Sequence, residues 1–202
     1  MRLGAVLLAA GQGRRFAQAQ PGAGSKLLIP VDGKPLVCYA MDALAALRAD
    51  QTAVVTGDER IARLARERGF GVVVNDQPER GQGHSIALGA DALREAVDAL
   101  LLLAADQPRL TADSLGRLVR AYEAGGKGLA CLRDETHWGN PAVFSRGYFA
   151  SLCALDGDRG ARRILLSHED DLLIVPCLHP GELADVDTPQ ALSALSPGGE
   201  AQ

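Results

Sequence analysis

The sequence predicts an α/β protein: one domain built on a doubly wound, mostly parallel sheet with helices on both faces. Three observations carry that reading. Leu3–Ala10 is an unbroken apolar run that ends at Gly11, as expected of a strand buried on both faces. Ala99–Ala104 is a second such run, made almost entirely of leucine. Between and after them, short strand-like runs alternate with stretches of helically spaced apolar residues, the order that builds parallel sheets through crossover helices.

The elements follow in order. Leu36–Leu47 has apolar residues at helical spacing, and Ala53–Thr56 is a short β-branched run. Gly57-Asp58 opens a helix over Glu59–Arg68, which Gly69 ends, and Gly71–Val74 is the next strand. After the turn Asn75-Asp76-Gln77-Pro78 comes a helix over Gly83–Ala96, then the Ala99–Ala104 strand. Thr111 caps a helix that runs to Ala124. Gly128–Leu132 and Pro141–Phe144 read as strands, Gly147–Leu155 and Arg159–Leu166 as short helices with Asp158 as N-cap of the second. Leu172–Val175 is a strand and Pro189–Leu195 the last helix, with 196–202 a disordered tail. In such a fold ligands bind beyond the carboxyl ends of the strands.

A chain of 202 residues, 47% hydrophobic and 23% charged, has the composition of a globular protein with a sizeable core. A net charge of −4 disfavours a nucleic-acid partner. The cysteines at 38, 131, 153 and 177 form no C-x-x-C pair, so we expect buried reduced thiols rather than a zinc site. Leu3–Ala10 is too short to span a membrane and runs straight into a glycine loop, so the expected location is the cytoplasm, without a membrane partner.

Chemistry concentrates at the predicted strand ends. Gly11 and Gly13 follow the first strand, with Arg15 and later Lys26 adding positive charge. Glycines let backbone N–H groups approach phosphate, and the cations neutralise it. The segment lacks the P-loop pattern and the third glycine of the dinucleotide fingerprint. A glycine turn with solvated arginines is the alternative. Asp106 ends the Leu100–Leu103 run just before Pro108, where a carboxylate needs a partner; a hard cation such as Mg²⁺ is one, a turn or cap role the other. Asp185 and Asp187 lie two apart before Thr188-Pro189, as a metal-binding pair or a helix cap. Arg80-Gly81-Gln82-Gly83-His84-Ser85 sits between a strand and a helix, where glycines let the backbone reach a nucleobase. A lone His84 reads as a hydrogen-bonding residue. Trp138 offers a ring for stacking, or covers a sheet edge; Arg162 and Arg163 meet a phosphate or solvent.

These motifs together resemble the nucleotidyltransferase superfamily. Leu8-Ala9-Ala10-Gly11-x-Gly13-x-Arg15, Lys26 and Gly33-Lys34-Pro35-Leu36 look like its phosphate-loop signature, although the spacer Ala17–Ser25 is longer than the family usually shows. Ala105-Asp106-Gln107-Pro108, Gly139-Asn140-Pro141 through Phe144, and Gly157-Asp158-Arg159-Gly160-Ala161-Arg162 resemble the molybdenum cofactor cytidylyltransferases in particular. The resemblance implies a nucleotide-diphospho-sugar transferase-like, Rossmann-type fold over residues 1–195. Residues 1–105 would mainly bind the NTP and residues 106–195 the acceptor. It implies CMP transfer from CTP to the molybdopterin form of the cofactor, with release of diphosphate. Lys26 and Arg15 would act at the phosphates, with Asp106 and Asp187 holding Mg²⁺ and Asp185 a weaker candidate ligand. Leu8, Ala9, Ala10, Gly11, Gly13, Asp76, Gly81, Gly83 and Ser85 would line the nucleotide. Trp138, Asn140 and Arg162 would face the pterin phosphate. A molybdoenzyme or its maturation chaperone is the implied partner of an otherwise monomeric enzyme. The Gly81-x-Gly83-His84 segment resembles the sugar pyrophosphorylases instead, so sugar-1-phosphate or guanylyl transfer is the alternative. A nucleotide-binding regulator without turnover is the alternative outside enzymes.

Overall fold

The computed structural model describes residues 1–11, 13, 16, 24–193 and 195. Its strands and helices, in chain order, are β1 (Leu3–Leu8), β2 (Pro30–Val31), β3 (Lys34–Pro35), α1 (Leu36–Leu47), β4 (Gln51–Thr56), α2 (Glu59–Glu67), β5 (Gly71–Val74), α3 (Gln82–Leu93), β6 (Ala99–Ala104), α4 (Ala112–Gly125), β7 (Leu129–Arg133), β8 (Trp138–Ser145), α5 (Phe149–Cys153), α6 (Arg162–Ser167), β9 (Leu172–Pro176) and α7 (Pro189–Ser193). Seven strands form one sheet in the order β5-β4-β1-β6-β8-β7-β9, and β2 and β3 form a separate hairpin. The β1, β4, β5 and β6 strands run parallel, β8 runs antiparallel to both β6 and β7, and β9 is parallel to β7. The sheet is the mostly parallel, doubly wound one that the alternation predicts, with one reversed strand.

The period of two along each strand divides the core. Leu3, Ala5 and Leu7 of β1 and Ala99, Leu101 and Leu103 of β6 point to one face, where they pack with Leu36, Met41 and Leu44 of α1 and Leu115 and Leu118 of α4. Val6 of β1 and Leu100 and Leu102 of β6 point to the other, against Ile86 and Ala90 of α3, Phe149 and Leu152 of α5, and Ile164 and Leu165 of α6. Both faces are dry, which is why β6 has no polar residue from Ala99 to Ala104.

The α1, β5 and β6 boundaries coincide with the sequence reading. The other bounds shift by up to three residues, and four departures bear on the packing and the site. The first strand stops at Leu8, although the Ala9 N–H still donates to the Val55 carbonyl at 2.9 Å. The helix expected over Gly83–Ala96 spans Gln82–Leu93. The β8 strand starts at Trp138 rather than Pro141, because pairing resumes at Arg133–Trp138 beyond an irregularity after Cys131. Asp158 does not cap the helix that follows: residues 157–158 are a turn, and Ala161 holds the N-cap position of α6. The Thr111 expectation holds, its side chain accepting from the Ser114 N–H at 3.2 Å. Cys38 and Cys131 are buried free thiols, whereas Cys153 and Cys177 are only half-buried. The tail 196–202 lies outside the described residues.

Helix α3 is pressed onto the sheet at Gly89, where an added Cβ would stand 2.4 Å from Val6 Cγ1 and 3.0 Å from Val55 Cγ2. Neither valine has room to retreat, since both are fully buried. Gly89→Ala should therefore destabilise the protein by about 1–3 kcal/mol despite alanine's better helix propensity. Urea unfolding checks this; an unchanged midpoint would mean that α3 packs more loosely than this.

Candidate active site

Strands β1 and β6 are neighbours, and the chain runs from β1 to β4 on one side and from β6 to β7 on the other, so a crevice opens at their carboxyl ends. A cleft of about 580 Å³ opens there. Leu8, Ala10 and Gly11, leaving β1, line its base. Pro78, Gly81, Gln82, Ser85 and Ile86 form one wall, and Thr136–Asn140 with Asp158 and Gly160–Arg162 the other. Lys26, Ala104–Gln107, Leu183 and Asp185 lie between.

Lys26 is the centre of the charged part. Its side chain is 9% exposed, and its Nζ donates to Asp106 Oδ2 at 2.8 Å, the Val186 carbonyl at 2.9 Å and Asp187 Oδ1 at 3.0 Å. An ammonium has three protons, and all three are engaged. Burial pulls the Lys26 pKa down, but the charges and hydrogen bonds of Asp106 and then Asp187 outweigh it and hold the pKa above the usual lysine value. Gly13, at φ +55°, packs against the Lys26 stem: a Cβ there would stand 3.5 Å from Cγ and Cδ.

Asp185 is held differently. Gln107, 3% exposed, donates through Nε2 to the Leu183 carbonyl and to Asp185 Oδ1, both at 3.0 Å. Its Oε1 accepts from Asn140 Nδ2 at 3.3 Å. Burial, and then the nearby Asp106 charge, push the Asp185 carboxyl above the usual carboxylate range. Asp106 and Asp187 thus bring one oxygen each to a single buried cation, and among the described residues no group of three or more His, Cys, Asp and Glu side chains is placed to hold a metal. Two carboxylates with the remaining positions left to water and phosphate oxygens are the donor set Mg²⁺ prefers. The residues therefore fit such an ion in the place that Lys26 Nζ now neutralises.

Of the residues singled out in the sequence, Leu8, Ala10, Gly11, Lys26, Gly81, Ser85, Asp106, Trp138, Asn140 and Arg162 line the cleft, as does Asp185. Asp187 joins through Lys26. Ala9 is buried beneath the floor. Asp76 is exposed and is not part of the cleft wall; its neighbour Asn75 turns inward and is fully buried. Gly83 serves chain packing, since a Cβ there would stand 2.9 Å from the Arg159 carbonyl oxygen and from Asp156 backbone. His84 does not line the cleft. Arg162 stacks its guanidinium 4.4 Å from the Trp138 ring centroid, so one face of that ring is already covered. Arg15 lies outside the described residues. The long spacer does not remove Lys26 from the site.

Gln107, Asn75 and Asp134 are the polar residues to which sequence reasoning gave no role. Asp134, with a side chain 2% exposed, accepts from the Thr136 N–H at 2.9 Å and the His137 N–H at 2.7 Å, and from the Leu183 N–H at 3.3 Å. It ties the Trp138 wall to the loop that carries Asp185 and Asp187. The only sequence signal was a carboxylate just after a strand, which loops share widely.

A doubly wound sheet with a glycine loop, a lysine and two carboxylates at its switch point defines an α/β protein of the nucleotide-handling kind. The model of the MobA-like NTP transferase domain matches residues 5–172, and the chain belongs to that family. It is 30% identical over 196 residues to the purine catabolism protein PucB of Bacillus subtilis, covering 92% of this chain and 91% of PucB. It is also 30% identical over 169 residues to the bifunctional protein GlmU of Shouchella clausii, covering 82% of this chain but only 34% of that protein. The crystal structure of Rv0371c from Mycobacterium tuberculosis superimposes with a TM-score of 0.78 at 25% identity, over 96% of this chain and 97% of that one. No helix among the described residues is long and apolar enough to cross a membrane.

Burial opposes the charge of Asp134, but the N–H groups of Thr136, His137 and Leu183 outweigh it and hold its carboxyl below the reference value of 3.8. A depressed folded-state pKa contributes stability above the unfolded value, and that contribution is lost as pH falls through the folded value. Asp134→Asn should therefore be less stable than wild type near neutrality, with the gap closing as pH drops below about 4. Urea midpoints of both proteins across that range measure it; a gap independent of pH would assign the effect to geometry rather than charge.

Proposed function

We propose that this protein is a cytidylyltransferase that moves CMP from CTP onto the phosphate of molybdopterin-form molybdenum cofactor and releases diphosphate. The observation that supports it is the convergence of Lys26, Asp106 and Asp187 on one point beside the Ala10–Gly11 turn. The acceptor in this reaction is a phosphate monoester, already ionised near neutral pH, so no side-chain nucleophile or strong base is needed. Positioning and charge neutralisation suffice.

A divalent cation, Mg²⁺ in this reading, would be held by Asp106 and Asp187 and would neutralise charge on the transferred phosphate. Lys26, held between the two carboxylates, would supply its positive charge at the α-phosphate. Arg15 takes the outgoing diphosphate. Gly11 and Gly13 give the triphosphate access to backbone N–H groups. The base lies between Ala10 and the Gly81–Ser85 wall, and the pterin lies along Trp138, with Asn140 and Arg162 toward its phosphate. Gln107 connects the acceptor wall to the carboxylate loop, since it touches Asn140 on one side and Asp185 on the other. The product then passes to a molybdoenzyme or its chaperone. Sugar-1-phosphate transfer is the second reading, resting on the Gly81-Gln82-Gly83-His84 segment. The deciding experiment is an NTP panel against molybdopterin and sugar phosphates, read by product mass and diphosphate release. Nucleotide binding without release from any acceptor would favour a regulator.

Two variants test the roles. Asp106→Ala should lower transfer by on the order of 10²-fold or more with the fold retained by circular dichroism, because a carboxylate at the reacting phosphate is gone. Near wild-type turnover at saturating Mg²⁺ would remove Asp106 from the mechanism. Ala10→Gly should shift preference from CTP toward GTP, since the methyl occupies space a purine needs. The expected size is about 1–3 kcal/mol in competition between equal concentrations of the two. An unchanged ratio would place size selection in the opposite wall.

A further inference from the structure

A methyl group at position 10 can separate a purine from a pyrimidine, but it cannot tell cytosine from uracil, which have the same outline. They differ in polarity: N3 of cytosine is a hydrogen-bond acceptor, whereas N3 of uracil carries a proton. Discrimination therefore needs a cleft group with a preferred donor or acceptor character. Ser85, in the first turn of α3, lines the cleft and is 6% exposed. A serine hydroxyl alone is ambivalent, because it both donates and accepts.

Asn75 biases that choice. It is fully buried at the end of β5. Its Oδ1 accepts from the Gln77 backbone N–H at 3.0 Å, and its Nδ2 donates to Ser85 Oγ at 2.9 Å. Flipping the amide would set an NH₂ against a backbone N–H, so the amide has one orientation. One lone pair of the Ser85 oxygen is therefore taken by Asn75, and its proton, which cannot point at that NH₂, needs an acceptor elsewhere. Among the described residues no protein acceptor takes it. The open direction is the cleft.

We infer that Asn75 is a positioning residue that biases base specificity: it favours Ser85 as a hydrogen-bond donor toward the base, matched to the N3 lone pair of cytosine, whereas accepting from the N3 proton of uracil on the second lone pair would leave the Ser85 proton without a partner. This rests on the reading that the base lies against the Gly81–Ser85 wall. Failure to meet a buried polar partner is the strong form of discrimination, because it leaves a buried donor unpaired.

The test is turnover of CTP against UTP at equal concentration, with binding of each measured by calorimetry, in wild type, Asn75→Asp and Ser85→Ala. Wild type should prefer CTP by at least tenfold. Asn75→Asp keeps the oxygen that faces Gln77 but puts an acceptor opposite Ser85. The hydroxyl then donates to it and presents a lone pair to the cleft, and the CTP:UTP ratio should fall at least tenfold, toward or past parity. Ser85→Ala, which adds no charge, should bring the ratio close to parity without reversing it. A merely structural role for Asn75 would lower both rates together and leave the ratio alone. An unchanged ratio in Ser85→Ala, or equal use of CTP and UTP by wild type, overturns the inference while leaving a pyrimidine-selective transferase in place. A wild-type preference for GTP overturns the cytidylyl reading itself, which separates the two failures.

Discussion

Everything at the mouth of the sheet depends on one ammonium. Lys26 Nζ gathers a turn that follows the glycine loop, the carboxylate two residues past the end of β6 and the loop before α7, the last two being 80 and 161 positions away in sequence. Two carboxylates facing the same point without a cation would repel, and one would have to protonate. With the lysine present the pair is neutralised only in part, and the surplus negative charge is what a metal would complement. A buried ion pair of this kind is weak evidence for stability, because desolvation offsets much of the attraction. Its role here is registration. Residues 177–188 have no helix or strand, and the segment is fixed by Lys26 at Val186 and Asp187, Gln107 at Leu183 and Asp185, Asp134 at Leu183, and Thr111 at Glu182.

The two walls of the cleft are built from distant stretches that lock together. The Gly83 N–H donates to the Gly157 carbonyl at 2.8 Å, and Arg80 pairs with Asp156 at 3.1 Å. The exposed ion pair contributes little. The backbone contact sets the spacing, since Gly81 at φ +88° would drive a Cβ to 2.5 Å from Gly157. The glycines of this segment therefore let one chain lie on another, whatever else they do for a nucleobase. Base wall and acceptor wall share a backbone hydrogen bond, so a shift of one carries the other.

How much of this could be read from the sequence follows from the range of the interactions. The α1, β5 and β6 bounds were legible because periodicity and burial are local signals. Asp106 was legible because an apolar strand ending in a carboxylate before a proline is an unusual string. The start of β8 was not, because pairing across an irregularity decides it. Nor was the inward turn of Asn75 beside the outward Asp76: both stand in one turn, and only contact with Ser85 and Gln77 distinguishes them. Asp158 looked like a cap because it precedes a helical run, but the turn at 157–158 is needed to meet Gly81 and Gly83, so the helix starts later.

Lys26, Asp106 and Asp187 announced themselves and the amides of Gln107 and Asn75 did not, for a physical reason. A charge acts through its sign, which the residue type alone supplies. An amide acts through its direction, which exists only once both ends have partners. Gln107 has its Nε2 set by the Leu183 carbonyl and Asp185, leaving Oε1 for Asn140; Asn75 has its Oδ1 set by a backbone N–H, leaving Nδ2 for Ser85. In each case a backbone group fixes one end and the other end meets a cleft-lining residue and biases how that residue can bond. The charges at Lys26, Asp106 and Asp187 suit phosphate of any nucleotide. Selectivity among nucleotides must come from groups with a preferred polarity, and buried amides anchored to backbone are groups of that kind.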